Sequence, residues 1–412
     1  MHILLIHQVF ACPDEPGSTR HYELAQRLLK EGNYFTAVAS NINYGTDQPF
    51  LCRRGLVVEY ESGGIRVMRA YTYPSLRRSF GWRVVAFLSF MCTSFFAGLR
   101  AGPVDLVMGT SPSIFQAVSA WLVAVLRRRP FLLEIRDLWP EFAIDIGVLK
   151  NPLLIALSHW LERFLYARAT HLLVNSPAYR DYLIDKGIPA AKVSSIPNGV
   201  DPNMFDPAAR GERIRQEWNL DGQFVVTYTG ALGLANDIPT ILRAANRLRD
   251  QTHIHFLLVG DGKERPHLES LAQQLQLPNV TFAGMYSKAE MSDFLAASDV
   301  CLATLKDIPM FRTTYPNKVF DYMAAGRPTV LAIDGVIRQV VETANGGIFV
   351  PPGDDAALAD AVYALSQDRQ RAAAMGRAAR AYVVEHFNRH QHAAQFLELV
   401  QCLARGDRTW ED

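Results

Sequence analysis

The chain has 412 residues, 49% hydrophobic and 20% charged, with a net charge of +1. Such a length exceeds one ordinary core and points to two domains, and the composition excludes a disordered chain. The near-neutral sum excludes a dedicated nucleic-acid binder, but it hides an asymmetry: residues 1–197 hold 21 Lys/Arg against 15 Asp/Glu, and residues 198–412 hold 21 against 26.

In chain order, Met1-His2-Ile3-Leu4-Leu5-Ile6-His7 has no cationic start and is too short for a signal peptide, so it reads as a first buried strand over Ile3–Ile6. The loop Pro16-Gly17-Ser18-Thr19 then opens a helix from Arg20 to Lys30, with apolar Leu24, Ala25, Leu28 and Leu29 at helical spacing. Gly17 permits close backbone approach, and the amides after it, Ser18 included, form a helix N-terminus suited to an anion; a plain N-cap by Ser18 or Thr19 fits as well. The loop lacks G-x-G-x-x-G, which argues against dinucleotide binding.

Residues Val84 to Leu99 are apolar around most of a helix, with Arg77, Arg78 and Arg83 before them and Arg100 after. At ~24 Å this run is shorter than a ~30 Å hydrocarbon core. It reads as a buried core helix or as a helix lying in a membrane interface, with a transmembrane span the poorest reading. Ala117–Leu126 followed by Arg127-Arg128-Arg129 is a weaker instance of the same pairing.

Further short apolar runs at Asp105–Met108, Phe131–Ile135 and His171–Val174 read as strands. Glu134-Ile135-Arg136-Asp137-Leu138-Trp139-Pro140-Glu141 carries four charged groups out of one of them. Those charges either line a ligand site or pair internally. In the first case Asp137 accepts a hydrogen bond from a substrate hydroxyl and Arg136 meets an anion. His7 and His21 also belong to this region, although an isolated histidine is more often structural.

Pro197-Asn198-Gly199 breaks regular structure and marks a boundary. Beyond it the scheme repeats, with strands over Phe224–Thr229, Ile254–Val259, Val280–Phe282, Val300–Ala303 and Thr329–Leu331. Short continuous apolar runs separated by helices mean parallel sheet, and two such series mean two doubly wound Rossmann-like α/β domains. Helices over Ala372–Glu385 and His390–Arg405 close the chain.

Three loops of the second series sit where doubly wound sheets bind ligands, at the carboxyl ends of strands. They are Thr229-Gly230-Ala231-Leu232-Gly233, Val259-Gly260-Asp261-Gly262 and Phe282-Ala283-Gly284-Met285. The stretch from Arg312 to Pro328 is the most informative. Tyr315-Pro316-Asn317-Lys318 enters a helix whose free amides and positive dipole seat a phosphate. Lys318 adds a point charge, and Asp321, on the same face, is an acceptor suited to the paired hydroxyls of a ribose. No metal-binding D-x-D is found. The five cysteines, Cys12, Cys52, Cys92, Cys301 and Cys402, have no C-x-x-C spacing, so neither a zinc site nor a disulfide framework is indicated, which fits a reducing cytosol.

The stretch resembles the donor-site segment of the family 4 retaining glycosyltransferases, which carry Glu, seven residues, Glu, then a helix closed by a small-residue–Gly–x–Pro turn. Asp321 falls on the second glutamate position and Ala325-Gly326-Arg327-Pro328 on the turn, while Thr313 replaces the first glutamate. The string Pro197-Asn198-Gly199-Val200-Asp201 resembles that family's interdomain signature, and Val259-Gly260-Asp261-Gly262 is also similar to a family string.

The resemblance covers nearly the full length. It implies a GT-B fold: an acceptor domain over residues 1–197, a nucleotide-sugar domain over 198–388, and a last helix over 389–412 crossing back to the first domain. It implies that Gly17 and Ser18 lie over the donor phosphates, that Gly230, Leu232, Gly233, Gly260 and Asp261 line the donor site, and that the backbone at Met285 meets the nucleobase. Many members hold the diphosphate with an Arg and a Lys in the loop equivalent to 229–237. This chain has neither there, so the cation falls to Lys318 or Arg312, with Pro316 and Asn317 beside them.

Members often carry a functional histidine near Arg136 and Asp137, so here those two residues, with Lys318, are the catalytic candidates. The reaction implied is metal-independent and retaining, by front-face attack, with no cofactor beyond the nucleoside-diphosphate sugar as substrate. The basic, apolar first half points to a lipid-linked saccharide acceptor, such as one on polyprenyl diphosphate, at the inner face of a bacterial membrane in lipopolysaccharide or related polysaccharide synthesis. The protein is then cytoplasmic and peripheral to that membrane. The competing readings are a non-hydrolysing sugar-nucleotide epimerase, for which acid/base pairs are too few, and a degenerate transferase kept as a scaffold.

Overall fold

The computed structural model describes the chain except residues 16, 44–46, 51–54, 76–79 and 408–412. Cys52, Arg77 and Arg78 fall outside the described residues. The chain divides into two compact units, one of Met1–Cys12, Gly17–Pro197 and His390–Asp412, the other including Asn198–Arg389.

The first unit carries strands β1 (His2–Ile6), β2 (Tyr34–Ser40), β3 (Val57–Ser62), β4 (Ile65–Ala70), β5 (Leu106–Thr110), β6 (Phe131–Ile135), β7 (His171–Val174) and β8 (Val193–Ser195). Its helices to Pro197 are α1 (Arg20–Lys30), α2 (Phe80–Leu99), α3 (Ile114–Arg127), α4 (Glu141–Asp145), α5 (Pro152–Arg168) and α6 (Pro177–Asp185). The sheet order is β3-β4-β2-β1-β5-β6-β7-β8. All pairs are parallel except β3 with β4, an antiparallel hairpin at the edge. Its turn is Gly63-Gly64, both at positive φ, the conformation a two-residue hairpin needs. β1, β5, β6 and β7 are buried on both faces, which is why they read as unbroken apolar runs. β3 alternates partly buried with exposed residues, as an edge strand does, and escaped the apolar-run reading for that reason.

The second unit carries β9 (Phe224–Thr229), β10 (Ile254–Val259), β11 (Val280–Gly284), β12 (Val300–Thr304), β13 (Thr329–Ala332) and β14 (Gly347–Phe349). They form a six-stranded sheet in the order β11-β10-β9-β12-β13-β14, parallel throughout. Its helices are α7 (Glu212–Glu217), α8 (Ile238–Arg247), α9 (Arg265–Gln274), α10 (Met291–Ala297), α11 (Asn317–Ala324), α12 (Val336–Thr343), α13 (Asp355–Gln367) and α14 (Arg369–His386). Order reverses between β9 and β12, a switch point where loops from neighbouring strands splay apart and ligands bind.

The last helix, α15 (Arg389–Arg405), belongs to the first unit. Ala393, Phe396, Leu397, Leu399, Val400 and Leu403 join a core with Ile3, Leu5, Leu24, Leu28 and Met108. The two passages of chain between the units run side by side. Val200 and Asn388 form a parallel bridge, Val200 N–H donates to Phe387 O at 3.1 Å, and Arg389 N–H donates to Val200 O at 2.9 Å.

Candidate functional site

At the carboxyl ends of β9, β10 and β11 three loops stack backbone against backbone. Gly230 N–H donates to Val259 O at 2.9 Å, Leu232 N–H to Asp261 O at 3.0 Å, and Gly260 N–H to Gly284 O at 2.7 Å. Gly230 and Gly260 have φ of +129° and +151°, and a Cβ on Gly260 would stand 1.8 Å from Gly230 O. Only glycine permits that approach. Asp261 Oδ1 accepts from Gly262 N–H at 2.7 Å, so its carboxylate braces its own loop. Gly233 is extended and open, and Met285, just past β11, is 38% exposed.

Lys318, in the first turn of α11, reaches the first of these loops. Its Nζ donates to Tyr228 Oη at 2.7 Å and to Asn236 Oδ1 at 3.3 Å, and stands 3.9 Å from the centroid of the Tyr228 ring. Tyr228 Oη in turn donates to Ala231 O at 2.9 Å, so the phenol links the ammonium to the loop. A Cβ built on Gly230 would lie 3.0 Å from Lys318 Nζ. The loop that lacks cations in the sequence thus has one in space, supplied by a residue 88 positions later. Burial lowers the Lys318 pKa to about 7.

The other residues of this stretch go elsewhere. Asp321 carries an ion pair with Lys288, from the loop after β11, and both side chains are more than four-fifths buried. Lys288 Nζ also stands 5.6 Å from the centroid of the Phe205 ring. Arg312 is exposed and pairs with Asp307 at 3.2 Å, while Thr313 Oγ1 donates to Met310 O at 2.5 Å. Of the two proposed cations, only Lys318 lies against the glycine loop. Pro316 is the N-cap of α11 and Asn317 its first residue. Asn198 Nδ2 donates to Tyr315 O at 2.8 Å, tying the segment after Pro197 to the entry of this helix. Tyr322 Oη, one residue past Asp321, accepts from Thr229 N–H at 2.9 Å and fixes α11 to the end of β9.

In the first unit, Arg136 Nη1 lies 2.9 Å from His7 Nε2, and His7 Nδ1 lies 2.8 Å from Thr110 Oγ1. A guanidinium only donates, so His7 is a neutral acceptor at Nε2 and carries its proton on Nδ1. Burial, with His21 and Arg136 nearby, drives its pKa well down. Ser111 Oγ accepts from Arg136 N–H at 2.9 Å and Asp137 N–H at 3.2 Å, and donates to Asp137 O at 3.0 Å. That clamp sets the backbone on which Arg136 and Asp137 stand. Burial raises the Asp137 pKa to about 6 against the pull of Arg136.

Glu134 pairs internally. It accepts from Arg20 Nε at 2.9 Å and His21 Nε2 at 2.5 Å. Burial opposes its ionisation, but His21 and Arg20 outweigh that and hold its carboxyl far below the usual range. Arg20 also donates to Ile196 O at 2.7 Å and Pro197 O at 2.8 Å, anchoring the exit of the chain from this unit. In the loop before α1, Gly17 has φ +143°, and Thr19 occupies the N-cap with its hydroxyl turned to Glu23 instead of a backbone amide.

Glu141, His159 and Glu162 bring ligand atoms within 4.8 Å of one another, the one grouping of metal-ligand type among the described residues. Lys186 Nζ already bridges its two carboxylates at 2.9 and 3.0 Å. A resident ammonium fills the position a cation would take, and the donor set does not fit a metal.

Sequence reasoning missed Tyr228, Asn236, Lys288 and Tyr322. Tyr228, Asn236 and Lys288 each reach the Lys318–Asp321 segment across 30 residues or more, and Tyr322, next to it, bonds to Thr229 across 93; no local pattern marks such partners.

Two family descriptions match in succession: a glycosyl transferase 4-like domain over residues 17–199 and glycosyl transferases group 1 over residues 223–368. Among curated relatives, a GDP-mannose-dependent alpha-mannosyltransferase of Mycobacterium tuberculosis is 29% identical over 58% of this chain and 58% of its own length. A putative colanic acid biosynthesis glycosyl transferase of Escherichia coli is 26% identical over 72% of this chain and 75% of its own length. Among solved structures, a sucrose-phosphate synthase from Thermosynechococcus elongatus superposes with a TM-score of 0.78 at 20% identity, over 98% of each chain. The Anabaena protein HepE, solved with UDP and glucose, superposes at 0.72 with 20% identity, over 97% of this chain and 99% of its own.

Proposed function

We propose that this chain, a GT-B glycosyltransferase related to the 4-like and group 1 glycosyl transferases, moves a sugar from a nucleoside diphosphate to a lipid-linked saccharide during synthesis of a bacterial surface polysaccharide. The observation that carries the reading is Lys318 Nζ set against Gly230 in a loop without cations of its own. In this reading the diphosphate takes the first-turn amides of α11 and the Lys318 ammonium, with Gly230, Leu232, Gly233 and Gly260 lining the loops around it. Asp321, held by Lys288, accepts from the ribose hydroxyls. The backbone at Met285 meets the base, and Gly17 and Ser18 cover the phosphates. Pro316, Asn317 and Asp261 shape the pocket, and Arg312 lends long-range charge.

The chemical task is to stabilise a departing diphosphate and an electron-poor anomeric carbon, which is a matter of placed charge. The bond from C1 to the phosphate oxygen breaks, the acceptor oxygen bonds C1 on the same face, and its proton passes to the leaving phosphate. Asp137 accepts a hydrogen bond from a substrate hydroxyl, and Arg136, steadied by His7, meets the anionic part of the acceptor. Thr313 in place of a carboxylate agrees with a route that uses no covalent enzyme intermediate.

Several relatives support the polysaccharide assignment by name, including those for colanic acid and for amylovoran. The basic charge of residues 1–197 suits a polyprenyl diphosphate carrier and work at the inner membrane face. The test is thermal-shift screening against GDP-, UDP- and dTDP-sugars, then turnover with polyprenyl-diphosphate saccharides and determination of the product anomer by NMR. An inverted anomer, or donor interconversion without acceptor, overturns the assignment.

A further inference from the structure

The layer of helices α2, α3 and α5 in the first unit presents an apolar surface that neither the donor site nor the sheet uses. α2 is long and apolar, with a mean hydropathy of 1.5 from Gly81 to Leu99, yet only 28% of that window is buried. Val85, Leu88, Cys92, Phe96 and Leu99 fall at spacings of three and four residues, and all five are exposed. Such a stripe is a second face, distinct from the one formed by Ala86, Phe90 and Ala97, which are buried.

The same division recurs on its neighbours. α3 leaves Val125 and Leu126 more than half exposed, and α5 leaves Leu153 72%, Leu157 57% and Trp160 57% exposed. Asn151 caps α5, accepting from Leu153 and Leu154 N–H, with Pro152 in the first turn. The apolar first turn is thereby held as helix despite its exposure. Aromatic contacts join the three helices: Phe87 of α2 stacks on Phe115 of α3, and Trp121 of α3 meets Phe164 of α5 edge-on at 4.9 Å. Trp160 stacks in turn on Phe164, and the Arg168 guanidinium stands 5.5 Å from the centroid of the same ring.

Charge along these helices and their ends is mainly positive. Residues 80–129 and 150–168 hold eight Lys/Arg against two Asp/Glu. Arg100, Arg128 and Arg163 are exposed, and no carboxylate among the described residues lies within ion-pair distance of them. A patch this apolar on a protein of this composition marks an interaction surface. Covering it with a second copy would bring two such cationic rims together, whereas a layer of anionic headgroups neutralises them.

We propose that α2, α3 and α5 together form a docking platform for a bilayer rich in anionic lipid, with the first two turns of α5 and Trp160 its deepest part. The proposal deepens the lipid-linked acceptor reading by naming the surface that meets the membrane. α2, at twenty residues and ~30 Å, is four residues longer than the apolar run read from Val84 and long enough to cross a bilayer. Its face of Ala86, Phe90 and Ala97 is committed to the protein interior, however, so it lies along the surface.

Flotation of the full chain with vesicles tests this. Vesicles of phosphatidylglycerol and phosphatidylethanolamine should carry the protein upward, phosphatidylcholine vesicles far less, and high salt should weaken the binding. The pair Leu157→Glu and Trp160→Glu should reduce bound protein about tenfold or more. Arg100→Glu with Arg163→Glu should act only on the anionic vesicles. Donor-induced thermal shifts in both variants should match the wild type, which shows that the fold persists. Failure to float, equal flotation of the variants, or a stable dimer in solution that these substitutions dissolve would overturn the platform. Donor binding and turnover with a short-chain, water-soluble acceptor report separately on the transferase reading.

Discussion

Lys318 Nζ stands 2.7 Å from Tyr228 Oη, so a cation on the first turn of α11 is held under a glycine loop at the end of β9 by a phenol rather than by a carboxylate. A carboxylate partner would neutralise the ammonium before any anion arrived. The phenol orients it and leaves its charge available.

Lys318→Met should weaken donor binding by roughly 1.5–3 kcal/mol, the worth of a charge-assisted hydrogen bond. Isothermal titration with the matching nucleoside diphosphate measures it. An unchanged dissociation constant removes Lys318 from the site.

Because burial leaves the free Lys318 amine with a pKa near 7, donor binding should take up a proton. A bound diphosphate favours the charged amine and raises its pKa. Below about 7 the amine is charged before and after binding, and no proton moves. Above about 7 the free form is neutral and the bound form charged, so affinity falls as pH rises. Titration at pH 8 in buffers of different ionisation enthalpy should show uptake approaching one proton, and Lys318→Met should abolish it.

Asp137 has a pKa raised to about 6, so its carboxylate forms as pH climbs through that value. If the charged form assists transfer, kcat should rise along that limb. Asp137→Asn should lower kcat about 100-fold and erase the limb, while the donor dissociation constant stays within about twofold. A profile that keeps its limb in the variant removes Asp137 from the chemistry.

Gly260→Ala should cost about 2–3 kcal/mol of stability, since its Cβ would collide with Gly230 O at a φ unsuited to alanine. Gly233→Ala is the control, because Gly233 has φ −120° and its Cβ would meet nothing nearer than Asn236 Nδ2 at 3.9 Å. Thermal denaturation with and without donor compares the two. Equal melting temperatures would show that the loops relax apart freely.

Glu134→Ala should cost about 3–5 kcal/mol by leaving the Arg20 guanidinium buried without its counter-charge. Urea denaturation checks it. A loss under 1 kcal/mol would mean that the carbonyls of Ile196 and Pro197 alone satisfy Arg20.

Periodicity made most of the framework legible. α1 spans Arg20 to Lys30 because Leu24, Ala25 and Leu28 alternate with polar residues at helical spacing. The central strands declare themselves as runs buried on both faces. β3 and β14, which are only partly buried, gave no such signal, and β2, β4 and β8 went unread although largely buried, because Thr, Ser and Arg interrupt their apolar residues. Within the candidate site the local half was readable: glycines at strand ends, a lysine at a helix start and an acid one turn on. The partners were not, since Lys288 meets Asp321 from 33 positions away and Tyr228 meets Lys318 from 90. The charges around Glu134 left two readings open, and what separates them is pairing: Glu134 is bonded to Arg20 and His21, while Asp137, whose pKa burial raises, has no carboxylate ion pair among the described residues.

α15 lends six side chains to a hydrophobic core that begins with residue 3. The opening unit therefore cannot complete its interior until residues 389–405 have left the ribosome, after the other unit, which runs to Arg389, has emerged. A growing chain must carry an unfilled groove along α1 and β1 for the whole of that interval, and any truncation that removes α15 leaves the same groove open for good.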